Sequence, residues 1–295
     1  PGNIVLTSFA DRRDRQRFRE AYADESSGIL TARKRVAQPR ITGPLTYTGH
    51  DAVQADIDNL RAAMEATGAQ EGFLAALSPG SCARVGNDHY ASDEELVYAC
   101  ADAMREEYRA IVDAGLIVQI DDPSIAESWD QINPEPSLED YRSFIQLRIE
   151  ALNHALRGLP REQIRFHLCW GSWHGPHTTD LELRHLIEPM LQIEAGGYSF
   201  EAASARHGHE WREWADAALP EDRVIIPGVV SHSTNVVEHP ELVAERIERF
   251  ASVVGPERVI ASTDCGLGGR LHPQIALAKL ESLAEGARIA SDRLF

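Results

Sequence analysis

Cysteine is scarce in this chain, and positive charge is outweighed. Only four cysteines occur in 295 residues, at Cys82, Cys100, Cys169 and Cys265. They are too few and too scattered for a disulfide framework. That leaves buried filler, metal ligand or nucleophile as their roles, and a reducing cytosol as the simplest compartment. Lysine and arginine number 29 against 46 aspartates and glutamates, a formal net charge of −17. Nucleic acid is a poor partner for that balance, because a phosphate backbone selects cations, and an anionic membrane surface is disfavoured for the same reason. No apolar run approaches the roughly 18 residues of a transmembrane helix. No basic leader followed by an apolar stretch and a small-residue cleavage site is visible. Low-complexity segments and Pro/Gly/Ser linkers are also missing, so residues 1–295 are expected to form a single domain. Its composition, 43% hydrophobic and 25% charged, suits one large barrel.

What is present is an alternation. Short apolar runs read as strands at Ile4–Phe9, Arg40–Tyr47, Gly72–Ser78, Leu116–Asp121, Ile164–Trp170, Gly197–Glu201, Val224–Ser231 and Val259–Asp264. Most are continuously apolar rather than alternating, the pattern of a parallel sheet covered on both faces. Amphipathic segments lie between them. Asp51–Ala66 carries Val53, Ile57, Leu60 and Met64 at helical spacing; Ser92 and Glu95 form a capping box for a helix ending near Gly115. Further helices are expected over Ser137–Arg157, Glu241–Val254 and Gln274–Ala290, and residues 10–39 read as a helix plus an irregular loop. Repeated β-then-α units give a (β/α)8 barrel or a doubly wound sheet. Asp121, His167 and Cys169, Glu201 with His232, and Asp264 with Cys265 all fall at C-terminal strand ends. Those ends converge on one mouth only in a barrel, which is therefore the expected α/β fold.

The densest chemistry lies in His-Leu-Cys-Trp-Gly-Ser-Trp-His-Gly-Pro-His, residues 167–177. Residues i and i+2 of a strand point the same way, so His167 and Cys169 project together. His-x-Cys alone is a weak signal, equally that of a buried cysteine beside a hydrogen-bonded histidine. Cys265 in Ser-Thr-Asp-Cys-Gly and Glu201 in Tyr-Ser-Phe-Glu strengthen it. One imidazole, two thiolates and one carboxylate fill a tetrahedral zinc site, and soft thiolates favour Zn²⁺ over Mg²⁺ or Ca²⁺. The Cys265-Gly-Leu-Gly-Gly-Arg270 run lacks the spacing of a dinucleotide fingerprint. Cys82 and Cys100 are expected to be inert, and Trp211 and Trp214, three apart, to mark a packed helix face.

Five stretches, in order from about Pro44 onward, resemble the C-terminal catalytic barrel of cobalamin-independent methionine synthase and its relatives, including epoxyalkane:coenzyme M transferases. They are Val118-Gln-Ile-Asp-Asp-Pro123, His167-Leu-Cys169, Tyr198-Ser-Phe-Glu201, Pro227-Gly-Val-Val-Ser-His232-Ser-Thr-Asn235 and Asp264-Cys-Gly-Leu267. The resemblance implies that His167, Cys169, Glu201 and Cys265 hold zinc, with Glu201 as a loose ligand that a substrate thiol displaces. It implies that His232 donates a proton to the leaving group or a developing oxyanion, titrating near operating pH. Asp121 resembles the carboxylate that contacts the amino group of homocysteine, although Asp-Asp-Pro replaces the usual Asp-Glu-Pro. A sulfonate thiol such as coenzyme M would want Arg270 or Arg206 nearby. Trp170 and Trp173, with His174 and His177, either bind substrate as a lid or stacking platform or simply pack their loop.

Two βα units that precede the matched region in the family are expected to be missing from this chain, unless Ile4–Phe9 supplies a first strand. The implied activity is zinc-dependent transfer of an alkyl group, methyl first among the choices, onto a small-molecule thiol in the cytoplasm. The donor would be methyl-folate, methylcobalamin or an epoxide. Addition of coenzyme M or another thiol to an epoxide is the alternative. A metal-free barrel of the uroporphyrinogen decarboxylase type, or a non-catalytic zinc-binding barrel, are the rivals of other classes.

Overall fold

The computed structural model describes residues 11–29 and 39–295. Eight strands run β1 (Arg40–Ile41), β2 (Phe73–Leu77), β3 (Gly86–Asn87), β4 (Ile117–Asp122), β5 (Ile164–Leu168), β6 (Gly197–Phe200), β7 (Val224–Val230) and β8 (Ser262–Thr263). Six of them form one parallel sheet in the order β2-β4-β5-β6-β7-β8, while β1 pairs only with β3. The sheet is curled and open, so the architecture among the described residues is a partial (β/α)8 barrel. The expected strand at Arg40–Tyr47 is thus corrected to two residues outside the main sheet, paired with Gly86 and Asn87. Pairs that short carry too little periodicity to be read from sequence. The strand expected at Ile4–Phe9 lies outside the described residues.

Register sets up the site. Asp121 of β4 pairs with His167 of β5, and His167 pairs with Ser199 of β6. Paired residues of parallel strands share a face, so these three side chains line one row at the C-terminal rim. Ile120, Phe166, Tyr198 and Phe200 alternate to the other face, where they are wholly buried in the main hydrophobic core. Burying each such side chain contributes on the order of 1.5–3 kcal/mol, which holds the polar row in place.

Five long helices flank the strands: α1 (His50–Thr67), α2 (Asp93–Asp113), α3 (Leu138–Leu156), α4 (Pro240–Val254) and α5 (Pro273–Leu294). Each covers a span expected from the apolar spacing. Ser92 caps α2, its Oγ accepting from the Glu95 backbone N–H at 3.1 Å. The Glu95 carboxylate reaches back to the Ala91 N–H at 2.9 Å, one residue before the usual partner in a capping box. Ser92→Ala is expected to lower stability by about 1 kcal/mol. Urea unfolding measures it, and an unchanged midpoint would remove the cap from the helix's account. Residues 11–29 form short helices at Arg13–Arg17 and Arg19–Ala23 with a 3₁₀ turn at Glu25–Ser27. Between β5 and β7 the covering helices are reduced to short pieces, Ile187–Leu191 and a 3₁₀ stretch at Glu210–Ala215. Chain at those positions is spent on loops over the rim. No described helix is long and apolar enough to cross a membrane.

Candidate metal centre

The strand period brings the first two candidate ligands together. His167 is the last residue but one of β5, and Cys169 follows just past its end; both are buried. Cys265, two residues after β8, meets them across the rim. The donor atoms of His167, Cys169 and Cys265 lie within 4.8 Å of one another, close enough to hold a metal ion. Cys169 Sγ and Cys265 Sγ are 4.0 Å apart. His167 Nδ1 is fixed by Ser199 Oγ at 3.0 Å. Its Nε2 is buried without a hydrogen-bond partner and lies 3.8 Å from Asp121 Oδ1. One ring nitrogen anchored and the other left open is the way a ligating histidine is usually supported.

Charge fits a cation here. A hydrogen bond from Cys169 pulls the Cys265 thiol far down, against the cost of burial, and His167 and Ser172 add to the pull. The same contact, with burial, pushes the Cys169 thiol far up. With the sulfurs 4.0 Å apart, negative charge on one disfavours it on the other, and a cation between them would relieve that repulsion. Burial works against a charged His167, but the Cys265 and Asp121 charges outweigh it and raise its pKa.

Glu201 stands one step aside. The four ligands expected from the sequence meet as three plus one, because Glu201 forms a second group with His232 and Asp264, again with donor atoms within 4.8 Å. All three are buried. Glu201 Oε1 accepts from the Trp170 backbone N–H at 3.2 Å. Burial and the neighbouring Asp264 push its carboxyl up to about 8. Asp264 Oδ1 accepts from the Ala202 and Ala203 N–H groups at 2.8 and 2.7 Å, while its Oδ2 is buried without a partner. Sequence reading gave Asp264 no role of its own; its place immediately before Cys265 was the available signal.

His232 lies in this second group, and burial pulls its pKa down to about 4. At neutral pH it is an uncharged imidazole that can donate one hydrogen bond and accept another. Asp121 lies at the rim with its side chain 38% exposed, and burial raises its pKa. Arg270 donates from Nε to the Ser172 carbonyl at 3.0 Å, and its charge reaches both Asp121 and His232. Arg206 is exposed and reaches the Thr178 carbonyl at 3.4 Å, so it faces solvent instead.

The aromatic loop resolves residue by residue. Trp170 offers no face to a substrate: it is wholly buried, its indole N–H donates to the Leu181 carbonyl at 2.8 Å, and its ring packs 4.2 Å from that of His207. Trp173 is half-buried, with His177 stacked at 3.8 Å, the Arg12 guanidinium 3.8 Å from the ring centroid, and its N–H on the Tyr22 hydroxyl at 2.8 Å. Both tryptophans pack the loop, and Trp173 also joins it to residues 12–22. His177 takes φ 54°, a left-handed conformation uncommon for a non-glycine residue. Its Nδ1 bonds Asp180 Oδ2 at 2.9 Å.

Asp180 also meets His207 Nε2 at 3.1 Å, and His207 Nδ1 meets Glu210 Oε2 at 2.8 Å. The sequence alone assigns no role to Asp180, His207 or Glu210. The His-x-x-Asp and His-x-x-Glu spacings at 177–180 and 207–210 were their only local trace. Trp214 is buried and stacks on Phe200, and Trp211 packs on the same core, as their spacing suggested. Cys82 and Cys100 join neither metal-capable group among the described residues, and burial raises both thiols, to about 12 and about 11.

A parallel, partial barrel whose rim gathers an imidazole and two thiols is a barrel able to hold a metal. The chain belongs to the family described as Cobalamin-independent synthase, Catalytic domain, which it matches over residues 81–288. It is 25% identical over 212 residues to a methionine synthase of Sulfurisphaera tokodaii, covering 70% of this chain and 53% of that protein. To a methionine synthase of Saccharolobus solfataricus it is 27% identical over 211 residues, 70% of this chain and 54% of the other. The chain thus spans about half the length of the curated relatives it matches. The structure of a B12-independent methionine synthase from Shewanella sp. W3-18-1 in complex with selenomethionine superposes with a TM-score of 0.70. Identity there is 22%, over 90% of this chain and 74% of that one, a likeness of fold.

Proposed function

We propose that the protein is a zinc-dependent thiol S-alkyltransferase, methyl being the first choice of alkyl group. The observation that carries this reading is the convergence of His167, Cys169 and Cys265 donor atoms within 4.8 Å at a barrel rim. Two sulfurs and an imidazole select zinc over magnesium or calcium. Family membership supports a catalytic role over that of an inert binding barrel, and the paired thiolates speak against a metal-free decarboxylase.

A free alkyl thiol has a pKa of about 8.5 and is mostly protonated at neutral pH. Zinc at this site would hold the substrate thiol deprotonated yet nucleophilic, with no redox chemistry to oxidise it. The remaining work falls to the chain. Glu201, whose Oε1 accepts from the Trp170 N–H and which groups with Asp264, would supply the exchangeable fourth ligand. Asp121 at the rim orients a cationic group on the acceptor. His232, neutral at operating pH, presents an N–H to the leaving group as charge develops on it.

Arg270 favours a second reading. Its cation lies close enough to influence Asp121 and His232, and would suit an anionic thiol adding to an epoxide.

Metal analysis and a substrate screen test both. Purified protein should carry one zinc per chain and transfer an alkyl group to homocysteine or coenzyme M from methyl-folate, methylcobalamin or a short epoxide. Turnover that survives complete removal of the metal would end the proposal.

A further inference from the structure

Gly171 and Ser172 have no role in the proposed transfer, yet both residues aim donors at the candidate ligand sulfurs. Ser172 Oγ donates to Cys265 Sγ at 3.0 Å and lies 3.7 Å from Cys169 Sγ. The Gly171 N–H points at Cys169 Sγ from 3.4 Å. Neither donor is placed by chance of a loose loop. Gly171 takes φ 89°, and a Cβ there would collide with the Trp173 ring and the Glu127 carboxylate, so the turn requires glycine. Ser172 is clasped from behind, its carbonyl accepting from Arg270 Nε at 3.0 Å. Arg270 comes from the same segment as Cys265, so the clasp ties the Ser172 loop to the strand end that carries the sulfur.

We infer that Ser172 is a positioning residue that tunes the metal centre through Cys265, its hydroxyl withdrawing charge from that thiolate. A hydrogen bond to a ligand sulfur uses electron density otherwise given to the metal. The metal then stays more electron-poor and attracts an incoming thiol more strongly. With Arg270 holding its backbone, Ser172 can keep that donor on the sulfur whether or not a fourth ligand is in place. This inference rests on the proposed thiolate centre but adds a residue outside its ligand set.

Cobalt substitution reads it directly. In the Co²⁺-loaded protein, Ser172→Ala should move the sulfur-to-cobalt charge-transfer band to lower energy, because the freed thiolate is easier to oxidise. Ser172→Thr, which keeps a hydroxyl, should return the band to its original place. Chelator competition should show zinc held about 10-fold less tightly by the alanine variant, because Cys265 loses the partner that orients its sulfur and this outweighs the gain in donation. A merely structural serine would shift the melting temperature and leave the band where it was. An alanine variant with an unmoved band and unaltered zinc affinity overturns the inference while the thiolate centre stands. Absence of any such band from the unsubstituted protein removes the centre itself and this inference with it.

Discussion

Cys265→Ser is expected to lose zinc and catalytic activity together while keeping the fold. The loss of activity should be complete within the sensitivity of the assay, because the substituted hydroxyl is a hard donor with a far higher pKa than a thiol. It neither ionises readily nor matches the soft partner that two sulfurs select. Cys265 is half-buried at the end of β8, and its side chain contributes hydrogen bonds rather than core packing. Retained melting behaviour with absent metal is thus the expected pair of results, measured by thermal unfolding and elemental analysis on one preparation. A variant that keeps stoichiometric zinc would show that the ion sits elsewhere.

The second large effect is on stability. His207→Ala is expected to cost about 3–5 kcal/mol, since it leaves Asp180 and Glu210 as buried carboxylates without their shared partner. Burial opposes charge on His207, but its hydrogen bonds to Asp180 and Glu210 prevail and raise its pKa to about 10. The sign of the pH dependence follows. Unfolded histidine releases its proton near pH 6.5, whereas the native residue holds it to about 10. Between those values the native state binds more protons, so this contribution is full below about pH 6.5 and is lost as pH rises toward 10. Denaturant unfolding of parent and variant across that window should show the stability difference shrinking with rising pH. A constant difference would mean that His207 is not charged in the fold. Because its ring packs against Trp170, whose backbone N–H holds Glu201, the same variant should also loosen the rim.

The parts of this site that were legible in the sequence are those governed by strand geometry. His167 and Cys169 share a direction because side chains alternate, and Asp121 lies beside His167 because parallel strands end in register. Cys265 was legible as a reactive residue at another strand end. Glu201 was legible as a candidate but not in its grouping with Asp264 and His232. That depends on how the segment after β6 turns, with Asp264 accepting the Ala202 and Ala203 N–H groups. Trp170 suggested a substrate platform because it continues past β5. The Leu181 carbonyl and the His207 ring, far along the chain, turn it inward. Asp180, His207 and Glu210 were invisible because no periodicity links a loop aspartate to a histidine 27 positions later. The six-stranded sheet followed from continuous apolar runs; the β1–β3 pair did not, being two residues long on each side.

Residues 12–22 are stitched to the loop that follows Cys169. Arg12 lies over Trp173 and bonds Glu127 at 2.6 Å, and buried Asp14 accepts from Thr178 N and Oγ1, each at 2.9 Å. Arg84 reaches the same Glu127 from elsewhere in the chain at 2.8 Å. An expression clone trimmed by a couple of dozen amino acids at its front would therefore suffer most some 160 positions downstream. The loop after Cys169 is what such a clone would loosen, so boundaries for a crystallisation or assay vector belong ahead of Asp11.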